Sequence, residues 1–156
     1  DLVSAYSPDI KLLHKHYPLH GDASARLALA GICANQQGRF WVMNEVLFAN
    51  SERTSRDDLL FIAGEQLPLM GERLDMEKFT ACLDGEGEEG EAASAALTQD
   101  IESGQAAGVH GTPALLVNGL HPDGWIVIKG QTDALAILIA AKAEGLEFPP
   151  ATAHVH

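Results

Sequence analysis

The sequence predicts an α/β domain in which a block of helices interrupts a small sheet. Three observations carry this. Residues 114–117 (Ala-Leu-Leu-Val) are a continuous apolar run of strand length, suited to a fully buried strand. Residues 125–128 (Trp-Ile-Val-Ile) form a second such run, with turn residues between them. Residues 10–16 read as a lone strand near the start, and the stretch between it and the later pair shows only helical patterning. One early strand joins a late hairpin in a single sheet only if the helices are an insertion. The expected organisation is one domain, residues 1–156, with an insertion at about 22–104.

The elements follow in order. Ser7-Pro8-Asp9 signals a turn. Ile10, Leu12 and Leu13 give the first strand its apolar content, and Pro18 ends it. Asp22 is a suitable N-cap for a helix with Ala23, Leu27, Ala30 and Ala34 on one stripe and Leu29, Ile32 and Cys33 beside it. Gly38 interrupts, and a second helix carries Phe40, Trp41, Val42, Val46, Leu47 and Phe48 as core until Asn50 closes it. Ser55 and Asp58 resemble a capping box, with Asp in place of Glu. Leu59, Leu60, Ile62, Ala63 and Leu67 follow at helical spacing, and Pro68 is expected to stop that helix. Asp75 caps a short helix with Met76, Phe79, Cys82 and Leu83 inward, ended by Gly85. Residues 84–91 hold five acids and three glycines, which reads as a solvated loop. A helix from about Gly90 to Ser103 turns Ala92, Ala96, Leu97 and Ile101 inward. After the two late strands, separated by turns at Asn118-Gly119 and Pro122-Asp123-Gly124, Thr132 caps a last helix that ends at Gly145.

Composition narrows the function classes. Hydrophobic residues make up 46% of 156 residues, so the chain has the content of a folded domain. Ten basic against 22 acidic residues leave a net charge of −12, which repels phosphate backbones and anionic lipid. Nucleic acid is therefore not an expected partner. The longest apolar stretch, residues 134–141, is far below the ~20 residues that span a bilayer. No Ser-His-Asp set, phosphate-binding glycine loop or dinucleotide fingerprint is present. His14 and His16 alternate on one strand face near His20, but Leu12 shares that face and no Cys or carboxylate completes a ligand set, so no metal is expected. His154 and His156 read as tail residues. The two cysteines, Cys33 and Cys82, stand 49 positions apart and make neither a C-x-x-C nor a zinc spacing.

The segment Gly108-Val-His-Gly-Thr-Pro-Ala-Leu-Leu-Val-Asn-Gly119 resembles the cis-proline loop of DsbA-like thiol–disulfide oxidoreductases, a branch of the thioredoxin superfamily. Residues 10–19 are similar to that family's second core strand and the turn after it. Gln37-Gly-Arg-Phe-Trp41, Leu47-Phe-Ala-Asn50 and Phe79-Thr-Ala-Cys-Leu83 resemble its helical insertion. The likeness implies a thioredoxin-like fold with an all-helical insertion. It also implies a strand and a Cys-x-x-Cys ahead of residue 1, with residues 1–6 as the end of the first helix. The family's central strand is absent from these 156 residues, and leaving it out exposes unpaired backbone and apolar faces. The expectation is therefore a longer natural protein; a truncated product and a second chain that supplies the strand are the alternatives.

What the resemblance implies for chemistry is specific. The redox cysteines are expected upstream, so the chain itself holds no catalytic residue. Thr112 and Pro113, with His110 beside them, are the expected substrate-binding wall: a cis proline, lacking an N–H, leaves adjacent backbone free to pair with an extended peptide. The bland alternative is a Thr-Pro that merely opens a strand, and a surface histidine at 110. Cys33 and Cys82 are expected to form a structural disulfide, with two buried free thiols as the alternative. The implied activity is exchange with protein or peptide thiols and disulfides, without a cofactor, in the periplasm, cell envelope or outside the cell. A membrane redox partner fits that setting. A redox-inactive, chaperone-like peptide-binding module is the second reading. A glutathione-using relative with a key serine is the third, and Thr112 argues against it.

Overall fold

The computed structural model describes residues 13–118 and 125–129, with the backbone alone from 115 onward. Along the chain come α1 (Gly21–Gln36), α2 (Phe40–Ala49) and α3 (Arg56–Phe61), the last continued by a π turn (Ile62–Gln66) and a 3-10 turn (Leu67–Met70). Then follow α4 (Met76–Leu83), α5 (Gly87–Ala106) and the strands β1 (Ala114–Asn118) and β2 (Trp125–Lys129). The chain divides into two compact units. One is His16–Ser103; the other is Asp1–Lys15 with Gly104–His156.

The unit His16–Ser103 is helical. Its centre is α1, whose second half is buried on nearly every side: Ala30, Gly31, Ile32, Cys33 and Ala34 are all inside. Small side chains permit this, because neighbouring helices approach closely where no large group intervenes. Phe79, Met43, Leu59, Ile62 and Leu67 fill the space around them and are fully enclosed. No polar or charged residue is buried with them among the described residues.

Capping explains several boundaries. Ser55 accepts from the Asp58 N–H at 3.1 Å, and the Asp58 carboxylate accepts from the Ser55 N–H at 3.2 Å, a complete capping box for α3. The Ser55 hydroxyl also donates to that carboxylate at 2.6 Å, which with the other Ser55 contacts holds Asp58 below its ordinary pKa. Asp75 caps α4 by accepting from the N–H groups of Glu77 and Lys78. Gly38, at φ +71°, lets the chain turn out of α1 and straight into α2.

The structure corrects six expectations. Asp22 is not the N-cap of α1: the helix begins at Gly21, and Ser24 closes its start by accepting from the His20 N–H and donating to the Gly21 carbonyl. Asp22 lies in the first turn, where a carboxylate favours the helix dipole. Trp41 and Phe48 are not core; they are 56% and 72% exposed, while Met43, Val46 and Leu47 face inward. Pro68 does not stop the helical run. It sits at the start of the 3-10 turn, where a missing N–H costs nothing, and Gly71 at φ +82° ends the run instead. Residues 84–91 are not all loop: α5 begins at Gly87, placing Glu88 and Glu89 at its positive end. Ala92 is exposed, and Ala93 takes the inward place. Finally, residues 13–16 join no sheet among the described residues. The His16 N–H donates to the Asp100 carboxylate at 2.8 Å, so a side chain takes the group a strand neighbour would use.

In the other unit, β1 and β2 pair antiparallel, from Ala114 opposite Lys129 to Asn118 opposite Trp125. Residues 10–12, the turns after Asn118 and the expected last helix lie outside the described residues.

Candidate functional site

The candidate site is the loop between α5 and β1. After Ala106 the chain leaves the helix through Gly108, whose φ of +71° is a left-handed conformation suited to glycine. The Gly108 N–H donates to the Gln105 carbonyl at 3.0 Å and the Val109 N–H to the Gly104 carbonyl at 2.9 Å, which closes the helix end. Val109 is buried, at 6% exposure. The chain is thus pinned on one side of the loop by an apolar anchor, and on the other by the ladder that starts at Ala114.

Between those anchors His110, Gly111, Thr112 and Pro113 all face solvent. The Thr112–Pro113 peptide bond is cis. A Cβ added at Gly111 would meet nothing within 4 Å, so the backbone there is open to an incoming group. The structure therefore brings the three residues predicted from the sequence, His110, Thr112 and Pro113, onto one short exposed segment. What it offers chemically is an accessible wall of backbone and hydroxyl. Sequence reasoning assigns no role to Val109. The signal for it is the glycine immediately before, which closes a helix and turns the next side chain inward.

Cys33 of α1 and Cys82 of α4 are joined as a disulfide, with Cα atoms 5.8 Å apart. Both are buried, at 1% and 2% exposure, and the chain's two cysteines are thereby accounted for. Cys33 and Cys82 are tied, so neither is a nucleophile in this state. Nearby, Arg56 of α3 grips Asp84, just past α4, through two donors: Nε at 2.6 Å and Nη2 at 2.5 Å. That bidentate contact holds the Asp84 carboxyl below its ordinary value and raises the guanidinium further.

No three His, Cys, Asp or Glu side chains among the described residues converge as a metal site. His14 and His16 are not part of such a group, and His154 and His156 lie outside the described residues. No helix among the described residues is long and apolar enough to cross a membrane.

Comparison with known proteins gives the context. A Na(+)/H(+) antiporter NhaA of Nitrosospira multiformis is 28% identical over 158 residues, an alignment that covers 97% of this chain and 24% of the antiporter. Na(+)/H(+) antiporter NhaA 3 of Salinispora tropica is 31% identical over 136 residues, covering 85% of this chain and 19% of that protein. The chain thus spans about a quarter or less of the curated relatives it matches. No solved structure matches it. The family described as thioredoxin matches residues 1–134, most of the chain, and the chain belongs to that family.

Proposed function

We propose that this chain is the substrate-binding and scaffold part of a DsbA-like thiol–disulfide oxidoreductase acting on protein or peptide thiols. The observation that carries the reading is the exposed segment His110–Gly111–Thr112–Pro113, with its cis bond, set between a buried anchor and a strand. An extended peptide adds to such backbone by main-chain hydrogen bonds, and the cis proline keeps an N–H out of its way. Thr112 then borders the reacting sulfur. The β1–β2 hairpin is proposed as part of a thioredoxin-like sheet that would be completed by strands from outside the described residues.

The reacting dithiol is proposed to lie upstream of Asp1, because Cys33 and Cys82 are already spent on each other. A thiolate there would attack a substrate disulfide, form a mixed disulfide and release one substrate thiolate; the second cysteine would then attack the mixed disulfide, release the other substrate thiolate and leave the dithiol oxidised to a disulfide. Two supports favour an oxidising compartment such as the periplasm: the buried Cys33–Cys82 disulfide and the family's disulfide chemistry. The named relatives are Na(+)/H(+) antiporters several times longer than the match, so attachment to a membrane transporter is part of the proposal.

A second reading has its own support. Cys33 and Cys82 leave no free thiol, which fits a redox-inactive peptide-binding module. Insulin reduction by the natural full-length protein separates the two. Turnover that requires two cysteines ahead of Asp1 supports the oxidoreductase. Their absence from the full-length sequence, with peptide binding retained, supports the module.

A further inference from the structure

We propose that one face of the helical unit docks a basic amphipathic helix of a partner protein. The face is built from α2 and the helical run that continues from α3. All of it belongs to the unit His16–Ser103, and nothing in it depends on the proline loop.

Large apolar side chains are exposed here although the elements that carry them already fill a core. On α2, Met43, Val46 and Leu47 face inward while Phe48 is 72% exposed. On the run after α3, Ile62 and Leu67 are fully enclosed, while Phe61, Leu69 and Met70 are exposed, Leu69 at 84%. α2 packs against both the π turn and the 3-10 turn, so the two sets lie on adjoining elements. The segment joining α2 to α3 lines an open cleft of about 290 Å³, formed by Ala49, Asn50, Ser51, Glu52 and Arg53. Phe48 directly precedes this cleft in the chain, and Arg53 reaches from it to lie over the Phe61 ring, 5.6 Å from the centroid. Exposed apolar groups gathered on adjoining elements, rather than scattered singly, mark an interaction surface.

Charge selects the occupant. Glu45 stands one turn before Phe48 on α2, Glu52 lines the cleft, and Glu65 falls between Phe61 and Leu69 in the chain. All three are exposed, and none of them forms an ion pair among the described residues. Arg53 is already engaged, by Asp58 at 3.9 Å and by the Phe61 ring. Apolar surface set among unpaired carboxylates is complementary to a helix whose apolar stripe is flanked by Lys or Arg. The Arg53 guanidinium over Phe61 is an example of that chemistry within the chain, a cation on an aromatic face. A second copy of this chain fits poorly, because it brings the same acids and a net charge of −12. An anionic lipid surface is repelled for the same reason.

Binding of a synthetic Leu/Lys helix about 18 residues long to the full chain tests this, by fluorescence anisotropy at ~0.15 M salt. A peptide of the same composition, permuted to lose its apolar stripe, is the control. The expected result is micromolar binding of the amphipathic peptide and on the order of tenfold weaker binding of the permuted one. Phe48→Ser and, separately, Leu69→Ser should each weaken binding on the order of tenfold with the melting temperature unchanged. Glu45→Gln/Glu52→Gln/Glu65→Gln should weaken it and flatten its salt dependence. The proposal is overturned if the amphipathic peptide fails to bind or the permuted one binds as tightly. It is also overturned if removing the carboxylates, or either apolar side chain, leaves binding unchanged. A different occupant overturns it equally: self-association in sedimentation, or binding to phosphatidylcholine vesicles with or without phosphatidylserine, that Phe48→Ser abolishes.

Discussion

In the helical unit both cysteines are under 3% exposed and bonded to each other, and the largest side chains are enclosed. At the Thr112–Pro113 loop every residue from 110 to 113 faces solvent, and order comes from the anchors at Val109 and Ala114. The contrast separates two uses of the same chain. Burial and a covalent tie make a rigid, chemically silent block; exposure with flanking anchors makes a surface that holds its shape without being filled. Sulfur in this chain serves the first use, and backbone serves the second.

Mutations sharpen that contrast, beginning with the largest expected effects. Removing the disulfide by Cys33→Ser/Cys82→Ser releases a loop of 49 residues' separation and should cost about 4 kcal/mol, read as a lower urea midpoint. Phe79→Ala, at a fully enclosed site, should cost a similar amount, about 3–5 kcal/mol. Neither change touches the loop directly. Pro113→Ala acts on the loop itself: peptide binding should weaken on the order of thirtyfold, the equivalent of two backbone hydrogen bonds at ~1 kcal/mol each. A Pro113→Ala protein that binds a model peptide as well as the parent would break the comparison at its functional end.

Smaller effects come from the surface of the helical unit. Ser55→Ala removes the α3 cap and should lower stability by about 1 kcal/mol in a thermal melt. The Arg56–Asp84 pair predicts a pH effect. Asp84 is held below its ordinary value of 3.8 in the folded state, so its contribution is present above that value. It is lost as pH falls through the depressed folded value. Arg56→Met should therefore lose stability at neutral pH and show a shallower decline during acid titration than the parent. Equal acid slopes in the two proteins would rule the pair out as the source of the decline. The effect is small because Arg56 is well exposed to solvent and salt.

Local signals are legible in the order of residues alone. The Ser55–Asp58 box and the Asp75 cap need only side chains three residues or fewer from their targets, so spacing identifies them. The loop motif from Gly108 to Gly119 is equally plain, since glycine and proline restrict backbone geometry by their own covalent structure. Face selection is not legible in α2. That helix is apolar nearly all round, so periodicity offers no way to tell that Met43 is enclosed while Trp41 and Phe48 are bare. Likewise Pro68 has a local bias against helix before it, yet Leu67 keeps a helical backbone because its side chain is fully buried.

By itself, then, the order of residues determined the Ser55 and Asp75 caps, the break at Gly38, the exposed Thr112–Pro113 segment and the family to which the chain belongs. Tertiary structure alone decided which side chains became interior, which carboxylate met Arg56 across 28 positions, and that Asp100 would hold the His16 amide. The physical reason is range. A cap or a turn is satisfied within a few bonds of the residue that makes it. Burial, pairing and helix seating depend on neighbours that only the folded chain brings near.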